Sequence, residues 1–333
     1  MPICTFCTHS IPYLYTVYES EYNLRLEQCP QCHEFVDTYV EHDSMTILLD
    51  LILLKRGVYR HLLYNRGTKP RRLVASAQDS EGEQAAKLGC QSRVDSTRRE
   101  RDRWLLIFRL GSTLTFFDAF IRWSYLNPTP TMGVSPWTKQ VIMSFCRVFL
   151  GNVAETITFH GGIIVTCCLL MKIMDIFKAT FYSNPPPKSN IRQEFKPSHI
   201  SLSLFYSSLP KIFLLLLLTI WLPTSTSAVS QPENPLPEWT KRLQWTNNNN
   251  LLKHVLEILD DDKLDREWIV RNALGGMSAG FGLRVILDIH PLFTTIMILA
   301  GWVAKTAVAT LVSRWVGGND SRTGEAWLAY SIP

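Results

Sequence analysis

Apolar and polar positions divide this chain into a short head, a polar bridge and a tail of long apolar runs. In the head, Tyr13-Leu14-Tyr15-Thr16-Val17-Tyr18 is a run of aromatic and β-forming residues, and Asn23-Leu24-Arg25-Leu26-Glu27-Gln28 sets Leu24 and Leu26 between polar neighbours. That pattern predicts two short strands joined at the polar turn Glu19-Ser20-Glu21. From Asp43 to Asn65 the pattern changes: Ile47, Leu48, Leu51, Leu54, Val58, Leu62 and Leu63 cover a wide face of a helix, with Asp43 or Ser44 as its cap. Residues 67–103 carry few large apolar side chains and are expected to be a flexible polar linker. Four apolar runs follow, at 104–123, 141–171, 201–222 and 291–312, each a candidate membrane span.

The spans are not clean. Arg109, Asp118 and Arg122 interrupt the first, and a charge in mid-membrane costs about 3 kcal/mol. Asp118 and Arg122 are four apart, so they share a helix face and can pair, while Arg109 lies near enough to the start to snorkel outward. The second run holds Glu155 and His160, and Gly151 and Gly161-Gly162 could bend it. Pro210 predicts a kink in the third. Between the last two runs, 223–284 begins rich in Pro, Ser and Thr, continues into a helical stretch at 251–264, and ends in Gly275-Gly276-Met277-Ser278-Ala279-Gly280-Phe281-Gly282. Gly276 and Gly280 form a small-xxx-small pair suited to close helix packing, and this stretch is expected as a re-entrant or interfacial helix.

Cysteine spacing adds the chemistry. Cys4-Thr5-Phe6-Cys7 and Cys29-Pro30-Gln31-Cys32 are two Cys-x-x-Cys knuckles separated by 21 residues. Knuckle, hairpin, knuckle is a zinc ribbon, with Cys4, Cys7, Cys29 and Cys32 as ligands of one tetrahedral Zn2+. Four thiolates leave no open coordination position, so the metal is structural, and it should supply on the order of 10 kcal/mol to so small a fold. His9 and His33 beside the knuckles could replace a cysteine, but with four cysteines present they read as solvent-facing or supporting residues. Cys90, Cys146, Cys167 and Cys168 have no paired spacing and read as small apolar residues.

Charge decides orientation and excludes some functions. Arg98, Arg99, Arg101 and Arg103 precede the first span, only Lys139 lies between 124 and 140, and Lys172, Lys178, Lys188, Arg192, Lys196 and Lys211 follow the second. This alternation puts the ribbon in the cytosol. With four spans it also returns the C-terminus there, leaves 223–284 in the lumen and keeps the sequon Asn319-Asp320-Ser321 unmodified. From Lys55 to Arg72 there are seven Lys or Arg and no acid, so the helix before them either packs on the ribbon or presses onto an anionic membrane surface. Nucleic acid is a poor partner: net charge is +5, and the ribbon carries Glu19, Glu21, Glu27 and Glu34 against Arg25. No Gly-x-x-x-x-Gly-Lys-Ser/Thr loop occurs, so there is no evident nucleotide-driven pump.

The knuckles, Val36-Asp37-Thr38-Tyr39-Val40-Glu41, Leu49-Asp50-Leu51-Ile52-Leu53-Leu54-Lys55 and Tyr59-Arg60-His61-Leu62-Leu63-Tyr64-Asn65 together resemble the homology domain of the Arv family of eukaryotic membrane proteins. The resemblance is specific over about the first 65 residues and rests on membrane segments beyond them. It implies residence in the endoplasmic reticulum membrane, and roles in sterol trafficking, sphingolipid homeostasis and glycosylphosphatidylinositol anchor synthesis. The expected partners are then membrane lipids of those classes and the enzymes that make them. The expected architecture is an α-helical multi-pass membrane protein with a small N-terminal β zinc ribbon followed by an amphipathic helix. Residues 1–66 form the ribbon and helix, 67–103 the linker and 104–333 the membrane domain. No catalytic residue is assigned; the alternative is a membrane-embedded lipid-modifying enzyme using Glu155, His160 or Asp118.

Overall fold

The computed structural model describes residues 2–18, 24–72, 81–126, 138–181, 191, 194–221 and 269–317, together with Gly324, Trp327, Leu328 and Ser331. The head forms β1 (Tyr15–Val17) and β2 (Leu24–Leu26), antiparallel, with Thr16 opposite Arg25. The turn expected at 19–21 lies outside the described residues. A third strand, β3 (Arg71–Arg72), joins β1 in parallel and gives the order β2-β1-β3. Cys4, Ile11, Leu14, Cys29 and Val36 make a small core of their own.

The helix expected from 43 to 65 is two helices. In α1 (Ser44–Ile52) the Asp43 carboxylate caps the N-terminus by accepting from the Thr46 N–H at 3.3 Å. Leu54 ends it in the left-handed region, φ 57°, with Lys55 N–H donating to Asp50 C=O and Leu54 N–H to Leu51 C=O. This is a Schellman stop with leucine where glycine is usual. Then α2 (Arg56–Arg60) runs on through a wider π-helical turn, His61–Asn65. The break rotates the apolar face. Val58, Tyr59, Leu62, Leu63 and Tyr64 are buried inside the protein, whereas Met45, Leu48 and Leu49 of α1 and Leu53 just after it face outward, Met45 and Leu53 by about two thirds.

Helix α3 (Glu81–Leu126) begins within the stretch expected to be linker and carries through the first span without interruption. The polar residues there include Glu, Gln, Lys and Arg, all good helix formers, which low hydropathy alone does not reveal. The other long helices are α4 (Lys139–Phe181), α5 (Pro197–Trp221, with Pro210 inside it) and α7 (Pro291–Gly317). These four are long and apolar enough to cross a membrane. Their outer faces are apolar and uncovered, as at Phe108, Ile157, Leu169, Val303 and Leu311. Cys167 is buried as expected, but Cys146 faces outward.

The small-residue stretch is α6 (Gly275–Leu287), continuous with a π-helical turn at Ile269–Leu274. It runs antiparallel to α5: Lys211 lies over Gly275, Ser278 Oγ donates to Ser207 C=O at 2.8 Å, and Gly282 abuts Ser203. The small-xxx-small pair packs as its spacing predicts, since a Cβ at Gly276 would meet Trp302 at 2.8 Å and one at Gly280 would meet Ile298 at 3.1 Å. Together the turn and α6 span 269–287, about 28 Å at helical rise, close to a full apolar thickness.

That extra passage corrects the expected sidedness. The ribbon end of the bundle gathers Tyr64, Arg103, His199 and Ile286: Tyr64 OH donates to Ile286 C=O at 3.3 Å, and Arg103 donates to His199 Nε2. The far end gathers Arg122, Glu155 and Ser331. A three-residue link joins α6 to α7 at the ribbon side, and α7 runs antiparallel to α4, with Ala304 on Gly162 and Val312 on Gly151. Trp327 also covers Gly151, so the C-terminal residues lie at the end opposite the ribbon, not beside it. The described part of 223–284 passes through the bundle; the rest, including the stretch at 251–264, lies outside the described residues, as does the sequon.

Candidate metal centre and membrane cavity

The two knuckles are built alike. In each, the residue after the second cysteine takes a left-handed conformation (Thr8 φ 65°, His33 φ 60°) and donates its N–H to the first cysteine's carbonyl, at 3.0 and 2.9 Å. Short bridges, Ile3 to Ser10 and Gln28 to Phe35, close each loop. The matched turns bring the Sγ atoms of Cys4, Cys7, Cys29 and Cys32 within 4.8 Å of one another. Cys4 and Cys32 are 3.7 Å apart and Cys7 and Cys29 3.4 Å. A tetrahedral ion with metal–sulfur bonds of about 2.3 Å separates its ligands by about 3.8 Å, so the cluster fits a metal ion with little adjustment. Burial pushes the Cys7 thiol up to about 12 and raises Cys4. At Cys29 burial also opposes ionisation, but the backbone N–H groups of Cys32 and Gln31 together with the Cys7 and Cys32 thiols outweigh it and bring the thiol to about 7. His33 is exposed and His9 half-buried, and neither belongs to the sulfur cluster.

A buried polar network fastens this ribbon to α2. Asp37 Oδ2 lies 2.7 Å from His61 Nδ1 and accepts from Asn65 Nδ2 at 2.7 Å, while Asp37 Oδ1 accepts from the Tyr39 N–H. Asn65 also bonds both backbone groups of Ile3, at 2.9 Å each. Arg60 Nη1 donates to the carbonyls of Thr5 and Phe6 at 2.7 Å, gripping the first knuckle from outside. On α1, Asp50 accepts from Lys55 at 2.7 Å and Tyr39 OH at 3.1 Å, and these bonds hold its carboxyl below the usual carboxylate range. The opposite face of α2 docks on the bundle through Tyr59 against Phe281 and Tyr64 against His199.

Inside the bundle, α3, α4, α5, α6 with its leading turn, and α7 surround a polar cavity of about 150 Å³. Asp118, Glu155 and His160, the three candidates from the sequence, all line it. Spacing foresaw the Asp118–Arg122 pair, which is long at 4.0 Å. It missed the closer partner. Arg122 Nη1 donates to Glu155 Oε2 at 3.0 Å, Ser331 Oγ donates to Glu155 Oε1 at 2.8 Å, and the guanidinium stacks 4.5 Å from the Trp327 ring centre. Both Glu155 oxygens are thus engaged, at 1% exposure. Lys211, Arg271, Asn272 and Lys305 also line the cavity, and none was singled out as a site residue in the sequence.

The model of the Arv1-like family matches residues 3–232, from the first knuckle past α5. The chain belongs to the Arv1-like family. Over 63 residues it is 48% identical to Protein ARV1 of Saccharomyces cerevisiae, 19% of each chain. Over 175 residues it is 46% identical to Protein arv1 of Schizosaccharomyces pombe, 50% of this chain and 54% of that one. Over 62 residues it is 39% identical to Protein ARV1 of Mus musculus, 19% of this chain and 23% of that one. The chain therefore spans between about a fifth and a half of these Arv relatives. No solved structure matches.

Proposed function

We propose that this protein mediates the distribution of sterols and the homeostasis of sphingolipids in the endoplasmic reticulum membrane, as a non-enzymatic lipid carrier or scaffold. Support for glycosylphosphatidylinositol anchor synthesis and contact with lipid-synthesis enzymes belong to the same reading. The observation that carries it is the join between the two halves of the family's fold. A cysteine-held ribbon is fixed through Asp37, His61 and Asn65 to a helix whose other face docks on membrane-length helices. In this reading the ion is zinc and structural. The ribbon faces the cytosol, supported by Arg98, Arg99, Arg101, Arg103 and Lys196 at or near the ribbon end of the bundle. The exposed apolar residues of α1, flanked by Lys55 and Arg56, suit contact with that leaflet.

Glu155 is disfavoured as the general base of a lipid-modifying enzyme, because both of its oxygens already accept hydrogen bonds, from Arg122 and Ser331. Purified protein in donor liposomes, followed by sterol arrival in acceptor liposomes, tests the carrier form. Faster transfer than in protein-free liposomes, reduced by Cys4→Ser/Cys29→Ser, supports it. No transfer by wild type assigns the scaffold form, and chemical change of the lipid by the pure protein overturns both.

A further inference from the structure

Among the described residues that line the membrane cavity, basic groups outnumber acidic ones. Arg122 is committed to Glu155 at 3.0 Å. Asp118 then faces Lys211 and Lys305, so positive charge is in surplus before Arg271 is counted. Surplus charge between apolar helices is costly unless an opposite charge meets it. Asn272 supplies an independent observation: it is 8% exposed, lines the same cavity, and its Nδ2 has no acceptor. Lysine ammonium and amide N–H groups are donors without acceptor capacity of their own on those atoms. They come from three separate elements, α5, the turn before α6, and α7. Donors converging from several directions suit a tetrahedral oxyanion, whose oxygens point outward on all sides, better than a flat carboxylate. The cavity is many times larger than one water requires.

We infer that this cavity binds a phosphate group through Lys211, Lys305 and Asn272. Resting on the lipid-handling reading, the group is the phosphate of an anionic phospholipid headgroup. Soluble inorganic phosphate is the other source of the same chemistry.

The test is calorimetric titration of the purified full-length protein in nanodiscs with dioctanoyl phosphatidic acid, dioctanoylglycerol and inorganic phosphate. Phosphatidic acid is expected to bind at least about tenfold tighter than dioctanoylglycerol. Lys211→Met and Lys305→Met should each weaken it about tenfold, the loss of one charge-assisted hydrogen bond. Lys211→Arg should retain it. Should either methionine variant elute or melt unlike wild type, Asn272→Leu gives the second reading, with weaker phosphatidic acid binding expected at unchanged charge. Inorganic phosphate binding as tightly as the lipid, with the same lysine dependence, supports the site and makes its ligand soluble. Phosphatidic acid binding that ignores all these substitutions in well-folded protein overturns it. So does binding no tighter than dioctanoylglycerol with no phosphate binding. If sterol transfer by wild type persists in either case, only the phosphate site falls; if transfer and all lipid binding are absent, the carrier reading falls too.

Discussion

Asp37 Oδ2 lies 2.7 Å from His61 Nδ1, and this contact joins the ribbon to the helix that seats it on the bundle. Asp37 is fully buried, and its carboxylate also serves Asn65 and the Tyr39 N–H. Asp37→Ala strands donors on three residues and should cost about 3 kcal/mol. Thermal unfolding of purified Asp37→Ala should show a clearly lowered midpoint. An unchanged midpoint would mean that the ribbon and bundle are held together elsewhere.

Close approach of α5 and α6 depends on a missing side chain. A Cβ on Gly282 would sit 2.6 Å from Ser203 Oγ and 3.5 Å from Tyr59, whereas one on Gly161 would meet nothing within 4 Å. Gly282→Val should therefore destabilise the bundle by about 1–3 kcal/mol, while Gly161→Ala should be neutral or slightly stabilising. Paired melting curves in one detergent check both.

Glu155 neutralises Arg122 where water is scarce. Removing one partner of a buried pair costs about 3–5 kcal/mol because the other charge remains. Glu155→Ala should fall in that range. Glu155→Gln should cost less, since its amide oxygen can still accept from Arg122. Equal midpoints for both variants and wild type would show that the pair carries no stability.

The C-terminal residues lie at the end of the bundle opposite the ribbon. In sealed microsomes, protease should remove a tag placed before Met1 and spare one placed after Pro333. Removal of both tags from intact vesicles would contradict the order of passages described above.

Much of this architecture is legible in the residues. Cys-x-x-Cys spacing names the four sulfurs, strand-forming runs on either side of a polar turn find Tyr15–Val17 and Leu24–Leu26, and length with hydropathy finds four spans. The failures share a physical cause: contacts between residues distant in sequence leave no periodic trace. Arg122 and Glu155 are 33 positions apart, so helix-face spacing finds only Asp118. The passage at 269–287 is too polar for a span because its turn carries Arg271 and Asn272, which the bundle accommodates beside the cavity. Missing it reverses the side assigned to everything after it. The helix break at Leu54 is hidden because leucine seldom takes the conformation of a helix stop. The roles of Asp37, His61 and Asn65 emerge only when the ribbon folds against α2.

The metal content of the freshly purified full-length protein tests the central claim most directly. One zinc per chain is expected, with X-ray absorption showing four sulfur neighbours at about 2.3 Å. A metal-free, folded protein whose Cys4, Cys7, Cys29 and Cys32 all react with a thiol reagent under native conditions would contradict it.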